Sequence, residues 1–205
     1  HSGKATISWR LFATSTKGFC LNIEIFLHCE TRLGVPHIRC TIDEGAPFFD
    51  GPAQEHISAA VGVAPGFHEL VISHYNKHDD DHVLDSAGNI IIDKHVEIQG
   101  IGIDNIAFNI DELRQAHFYP VYNPVYYQQQ LDQGHVPPPS ISPNLYLGHN
   151  GIWKLNFHTP FVEYIIQKRK NLAMNLDNTI FQSDVELLQR TKAWIQAQPD
   201  IVWNT

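Results

Sequence analysis

The chain has 205 residues, 43% of them apolar, and a formal net charge of −8. That length and apolar content allow one core-bearing domain with an extension and exclude a disordered chain. The acidic balance argues against phosphate-backbone binding, which needs clustered Lys and Arg, and no window is long and apolar enough to span a bilayer. Neither a nucleic acid nor a membrane is therefore an expected partner.

Residues 5–14 place Ile7, Trp9, Leu11 and Ala13 on one face, the pattern of a half-buried strand. Ser15-Thr16-Lys17-Gly18 is turn chemistry. Residues 19–29 then alternate again, with Phe19, Leu21, Ile23, Ile25, Leu27 and Cys29 on one side. The two segments read as a hairpin. Residues 37–43 give a third strand with Ile38, Cys40 and Ile42 inward, and residues 56–63 a short edge strand. Cys20, Cys29 and Cys40 match no zinc spacing. They read as three buried free thiols, with a Cys29–Cys40 bond left open should their strands be neighbours.

Residues 67–74 carry apolar groups on both faces, as a strand central to a sandwich does. The loop Lys77-His78-Asp79-Asp80-Asp81-His82 follows and is the most polar stretch of the chain. Its imidazoles and carboxylates are donors for a divalent ion, which makes His78, Asp79, Asp81 and His82 the candidate metal ligands; calcium, which takes oxygen donors, would use Asp79 to Asp81, Asp85 and Asp93. The competing reading is a solvated surface loop, and no other cofactor is expected. Ser86-Ala87-Gly88-Asn89 then turns a small hairpin. In the next strand Val96 and Ile98 share one parity, while Ile101 and Ile103 have the other. A one-residue slip would turn apolar groups outward, so an extra residue is expected as a bulge at Gly100–Gly102, with a second break at Asp104-Asn105.

From Asp111 the character changes. Residues 117–127 contain Pro120 and Pro124 and read as neither a central strand nor a helix. With Gln128-Gln129-Gln130 and Pro137-Pro138-Pro139 they read as an extended arm. Tyr119, Tyr122, Tyr126 and Tyr127 of this arm, with Trp153 of the following strand, are the candidate ligand residues. Flat aromatic rings suit either a stacking platform for sugars or anchors on a neighbouring subunit. Residues 152–157 alternate as a last strand. Thr159-Pro160 opens a helix bearing the solvated run Lys168-Arg169-Lys170, and Ser183–Glu186 is the capping box of a second helix stopped by Pro199. The divisions expected are a sandwich core over 1–110, the arm over 111–150, and a strand with two helices over 151–205.

No G-x-S-x-G elbow, P-loop or G-x-G-x-x-G stretch occurs, so catalysis is not expected. The remaining enzymatic reading is a metal-dependent one through the His/Asp loop. Gly66-Phe67-His68-Glu69-Leu70-Val71-Ile72, then Asn76-Lys77, then Ile98 and Ile101-Gly102-Ile103-Asp104-Asn105-Ile106, resembles the jelly-roll of carbohydrate-binding modules. The same order of elements resembles small β-sandwich proteins encoded by tailed phages of aquatic bacteria. The resemblance implies an antiparallel jelly-roll-like β-sandwich of about eight strands, with an arm and a short helical C-terminal extension. It also implies a non-enzymatic structural protein of the virion, decorating head, neck or tail and gripping neighbouring virion proteins through residues 111–145 and the C-terminal helices. The alternative is an extracellular glycan-binding module meeting a surface glycan, with calcium as an optional ion.

Overall fold

Alternation along β1 (Phe19–Cys29) buries Leu21, Ile23, Ile25 and Leu27 and turns Cys20, Asn22, Phe26 and His28 outward. A strand's period of two puts one face on a core and leaves the other in water. The computed structural model describes residues 18–175, with side chains through residue 170. β1 pairs antiparallel with β4 (His56–Val63) on one side and with β8 (Val96–Ile103) on the other. β8 also carries β9 (Ile106–Ala107) and β11 (Tyr146–Leu147), so the first sheet runs β11-β8-β1-β4. The second sheet runs β10 (His117–Val121), β12 (Asn150–Thr159), β5 (Gly66–His74), β2 (His37–Ile42) and β3 (Phe49–Pro52). Each pairing in the two sheets is antiparallel, and the chain is a mainly β, jelly-roll-like sandwich.

The inner face of the second sheet supplies Ile38, Cys40, Leu70, Ile72, Trp153, Leu155 and Phe157, all buried. Each such side chain contributes on the order of 2 kcal/mol by leaving water. The hairpin β6 (His82–Leu84) with β7 (Ile90–Asp93) stands apart from both sheets. Its turn is held by the Asp85 carboxylate, which accepts the N–H groups of Ala87 and Asn89 at 2.8 Å each.

Several expectations change against this frame. The strand expected over 5–14 and the helix expected over 183–199 lie outside the described residues. The hairpin expected between residues 5–14 and 19–29 falls outside them too; among the described residues β1 pairs with β4 and β8. Cys29 sits in the first sheet and Cys40 in the second, and all three cysteines are free thiols. Cys20 is exposed rather than buried, because its parity on β1 is opposite to that of Leu21. The bulge in β8 falls at Gln99-Gly100: Phe26 faces Gly100 while Leu27 faces Ile98. Asp104 and Asn105 make the expected break at positive φ of 51° and 61°, and the Asp104 carboxylate accepts the Asn22 N–H at 2.9 Å.

The segment after Asp111 is not one extended arm. A capping box between Asn109 and Glu112 starts the short helix α1 (Ile110–Leu113). β10 then lies at the edge of the second sheet, where the missing N–H of Pro120 is tolerated. Asn123 caps α2 (Pro124–Asp132), and Pro124 occupies the first turn, where its N–H would be unpaired in any case. Only residues beyond Gly134 are extended, and they return to the sandwich through the Phe118–Ile141 bridge. The Thr159 hydroxyl accepts from Gly66 N–H and donates to Ala64 O, both at 2.9 Å, which ties β12 to the turn between β4 and β5. The chain divides into two compact units, His1–Phe161 and Val162–Thr205, and α3 (Phe161–Asn175) leads into the second. Lys168 on α3 donates to the Tyr164 hydroxyl at 3.2 Å.

Docking of β10 on β12 depends on Gly151, which sits at φ +155° with the Tyr119 carbonyl against it and the Phe118 ring 2.9 Å from where a Cβ would be. Gly151→Ala is expected to cost about 3 kcal/mol in chemical denaturation. Gly51→Ala, which meets open space, should cost under about 1 kcal/mol in the same experiment.

Candidate functional site

The polar loop after β5 is held from below by two ion pairs. Lys77 Nζ donates to Asp93 Oδ1 at 2.5 Å and to the Gly148 carbonyl. Lys94 Nζ donates to Asp81 Oδ2 and to Asn76 O, both at 2.9 Å. Asn150 clamps the backbone of Lys77 from both sides, accepting its N–H and donating to its C=O at 2.8 Å. Asp81 Oδ2 also accepts the His78 N–H, and the Tyr146 hydroxyl donates to Asp93 Oδ2 at 3.0 Å. The Tyr146 phenol is pushed up, first by burial and then by Asp93.

His74, at the end of β5, lies under this loop and is 1% exposed. Its Nδ1 donates to His149 O at 3.2 Å, and its Nε2 is buried with no hydrogen-bond partner. Burial pushes the imidazole down to about 4; the carbonyls of His149 and Leu147 oppose the shift, and Lys77 and Lys94 reinforce it.

The loop leads out to Asp79, whose carboxylate accepts from the Asn123 side-chain amide. Asn123 is also the N-cap of α2, so the acidic loop and the aromatic helix meet at one point. There the Tyr122 ring packs 5.0 Å from His149, 5.9 Å from Tyr126 and 6.2 Å from Tyr127. His149 also lies 5.4 Å from Tyr126. The Tyr122 hydroxyl donates to Pro138 O at 2.9 Å, which fixes the central ring. Burial and the neighbouring phenols push Tyr122 up, while burial and Lys77 hold His149 below the usual imidazole range, against Asp93. Tyr126 and Tyr127 are each 37% exposed; Tyr122 packs against both and His149 against Tyr126.

The aromatic set expected from the sequence therefore divides. Tyr122, Tyr126 and Tyr127 come together. Tyr119 lies on the outer face of the second sheet, with the Lys154 ammonium 5.9 Å from its ring centroid. That face also holds a shallow depression of about 450 Å³ lined by Asp43, Glu44, Phe67, Glu69, Val71, Ile152 and Lys154. Trp153 is not part of any ligand surface: it is fully buried and donates Nε1–H to Asn144 O at 2.9 Å. Parity on β12 decides this, since Ile152 and Lys154 take the outer face.

The expected metal ligands are dispersed as well. Asp81 faces Lys94, Asp79 faces Asn123, His78 is exposed, and His82 stands opposite Asp93 in the hairpin ladder. Among the described residues no three His, Cys, Asp or Glu side chains converge on a metal position. Sequence reasoning missed Asn123, His149 and Asn150. The Asn123-Pro124 dipeptide is a helix-start signal that marks the first of them.

No protein-family model matches the chain, and no curated protein matches it. Among solved structures, the carbohydrate-binding module vCBM60 in its selenomethionine form is similar at 11% identity. It is described with two families of calcium-dependent carbohydrate-binding modules linked by circular permutation. The match covers 66% of this chain and 89% of that one, with a TM-score of 0.41. Likeness at that level carries no argument about a ligand, and the fold stands on the strand pairing given above.

Because His74 binds its proton less readily folded than the 6.5 expected of the free side chain, its contribution to stability is complete above pH 6.5 and is lost as pH falls toward about 4. Its share amounts to roughly 3 kcal/mol, at 1.36 kcal/mol per pH unit of depression. In denaturation series over that window, His74→Asn is expected to flatten the loss relative to the unmodified chain.

Proposed function

We propose that this chain is a non-enzymatic glycan-binding module whose site is the braced tyrosine cluster at the start of α2. The observation that carries the reading is the packing of exposed Tyr126 and Tyr127 on Tyr122, with His149 beside Tyr126, on a helix whose N-cap Asn123 meets Asp79. Sugar rings present apolar C–H faces and a rim of hydroxyls. Flat phenols take the first at little entropic cost, and a carboxylate, an amide and the phenol hydroxyls take the second. Bracing matters because rings held before binding lose little freedom on binding. The reading implies a surface glycan as partner and an extracellular setting.

Calcium is not required by this site as drawn. Asp81 and Asp93 are held by Lys94 and Lys77, and Asp85 by Asn89 and the turn it caps.

In a glycan array followed by titration of the best ligand, Tyr126→Ala with Tyr127→Ala is expected to weaken binding at least about tenfold, or about 1.4 kcal/mol. Tyr119→Ala, on a different surface, should leave it unchanged, and excess EDTA should too. No bound glycan on the array, or full binding by the double variant, would sink the proposal.

A further inference from the structure

An open sheet edge presents unpaired N–H and C=O groups, and folded proteins blunt such edges with brevity, Pro or charge. The other edges of this sandwich are blunted. β3 has 4 residues and carries Asp50 and Pro52, β10 carries Pro120, and β11 has 2 residues. β4 is different. It runs 8 residues, His56-Ile57-Ser58-Ala59-Ala60-Val61-Gly62-Val63, without Pro, Lys or a carboxylate, and its register against β1 has no shift. Among the described strands only β1 pairs with it.

The ladder decides which of its groups are free. Leu27 N–H donates to Glu55 O at 2.9 Å, in the same register that sets Ile25 opposite Ile57. Antiparallel pairs alternate between hydrogen-bonded and non-hydrogen-bonded, so Ile57, Ala59, Val61 and Val63 bond toward β1. Ser58, Ala60 and Gly62 then aim their N–H and C=O groups outward along the edge. The side chains agree. Ile57 and Val63 are buried, but the inward-facing Ala59 and Val61 are only half-buried, so the core is open along this margin. The outward-facing Ser58, Ala60 and Gly62 are small and block no approach.

We propose that β4 is a self-association edge that pairs antiparallel with β4 of a second copy, about a twofold axis at Ala60. In that register Ala60 meets Ala60, Ser58 meets Gly62, Ile57 meets Val63 and Ala59 meets Val61. Apolar groups oppose apolar groups on the inner face, small groups oppose small groups outside, and no like charges face each other. A one-residue slip sets inward side chains against outward ones and is excluded by parity, and of the alignments that keep parity this one pairs the whole strand from Ile57 to Val63. The edge complements itself, as an isologous twofold contact requires, and the two sheets become one continuous sheet.

The test combines sedimentation velocity over a concentration series with amide hydrogen exchange on the full chain. A concentration-dependent dimer is expected, with Ser58, Ala60 and Gly62 amides protected only as it forms. Ala60→Lys sets two ammonium groups against each other, and Ala60→Pro removes an outward donor. Ala60 faces Asn22 in a non-hydrogen-bonded pair, so both variants should keep the β1–β4 ladder and the fold while weakening dimerisation at least about tenfold. A monomer at every concentration overturns the proposal, whether those amides exchange freely or are protected by another part of the same chain. A dimer indifferent to Ala60→Lys overturns it as well.

Discussion

Two buried ammonium–carboxylate pairs, Lys77–Asp93 and Lys94–Asp81, carry the end of the molecule where the candidate site lies. Their side chains are between 6% and 16% exposed, so each ion has given up most of its hydration. That arrangement is stable only when the remaining donors and acceptors are satisfied. Here they are: Lys94 reaches Asn76 O, Lys77 reaches Gly148 O, Asp81 accepts the His78 N–H and Asp93 accepts the Tyr146 hydroxyl. The pairs join the loop after β5, the end of β7 and the turn before β12. Burial, with no partner at Nε2, holds the His74 imidazole neutral at pH 7, and the two ammonium groups reinforce it.

What stands on this platform follows from it. With Lys77 held and its backbone clamped by Asn150, the loop delivers Asp79 to Asn123. Asn123 caps α2, and α2 sets Tyr126 and Tyr127 around Tyr122. The carboxylates that looked like metal donors are therefore structural acceptors, apart from those at the exposed tip. In the proposed function, this support for Tyr126 and Tyr127 is what would let stacking contribute without a large ordering cost.

Strand parity was readable from the chain and carried much of the sandwich: β1, β2 and β8 have the inner faces their alternation assigns. Counting parity also revealed that β8 must absorb an extra residue, although its partner β1 places the bulge at Gln99-Gly100. The prolines of the stretch from His117 exclude a sheet interior and a mid-helix position, and the fold places them in neither. Pro120 is on an edge strand and Pro124 opens a helix, both places where a missing N–H is harmless. Among the aromatics, Trp153 was grouped with the tyrosines by residue type, yet its parity with Leu155 and Phe157 already assigned it to the core.

By itself the sequence determined what local chemistry can encode: the faces of strands, the hairpin turn at Ser86–Asn89 and the break at Asp104-Asn105. These depend on backbone preferences and side-chain periodicity within a few residues. Only the tertiary structure decided which strands are neighbours, that β1 lies between β4 and β8, that among the described strands β4 pairs with β1 alone, and that Asp79 meets Asn123. Those outcomes are choices among contacts distant in sequence. They are settled by burial and by the pairing of polar groups across the whole core, and no short stretch of residues records them.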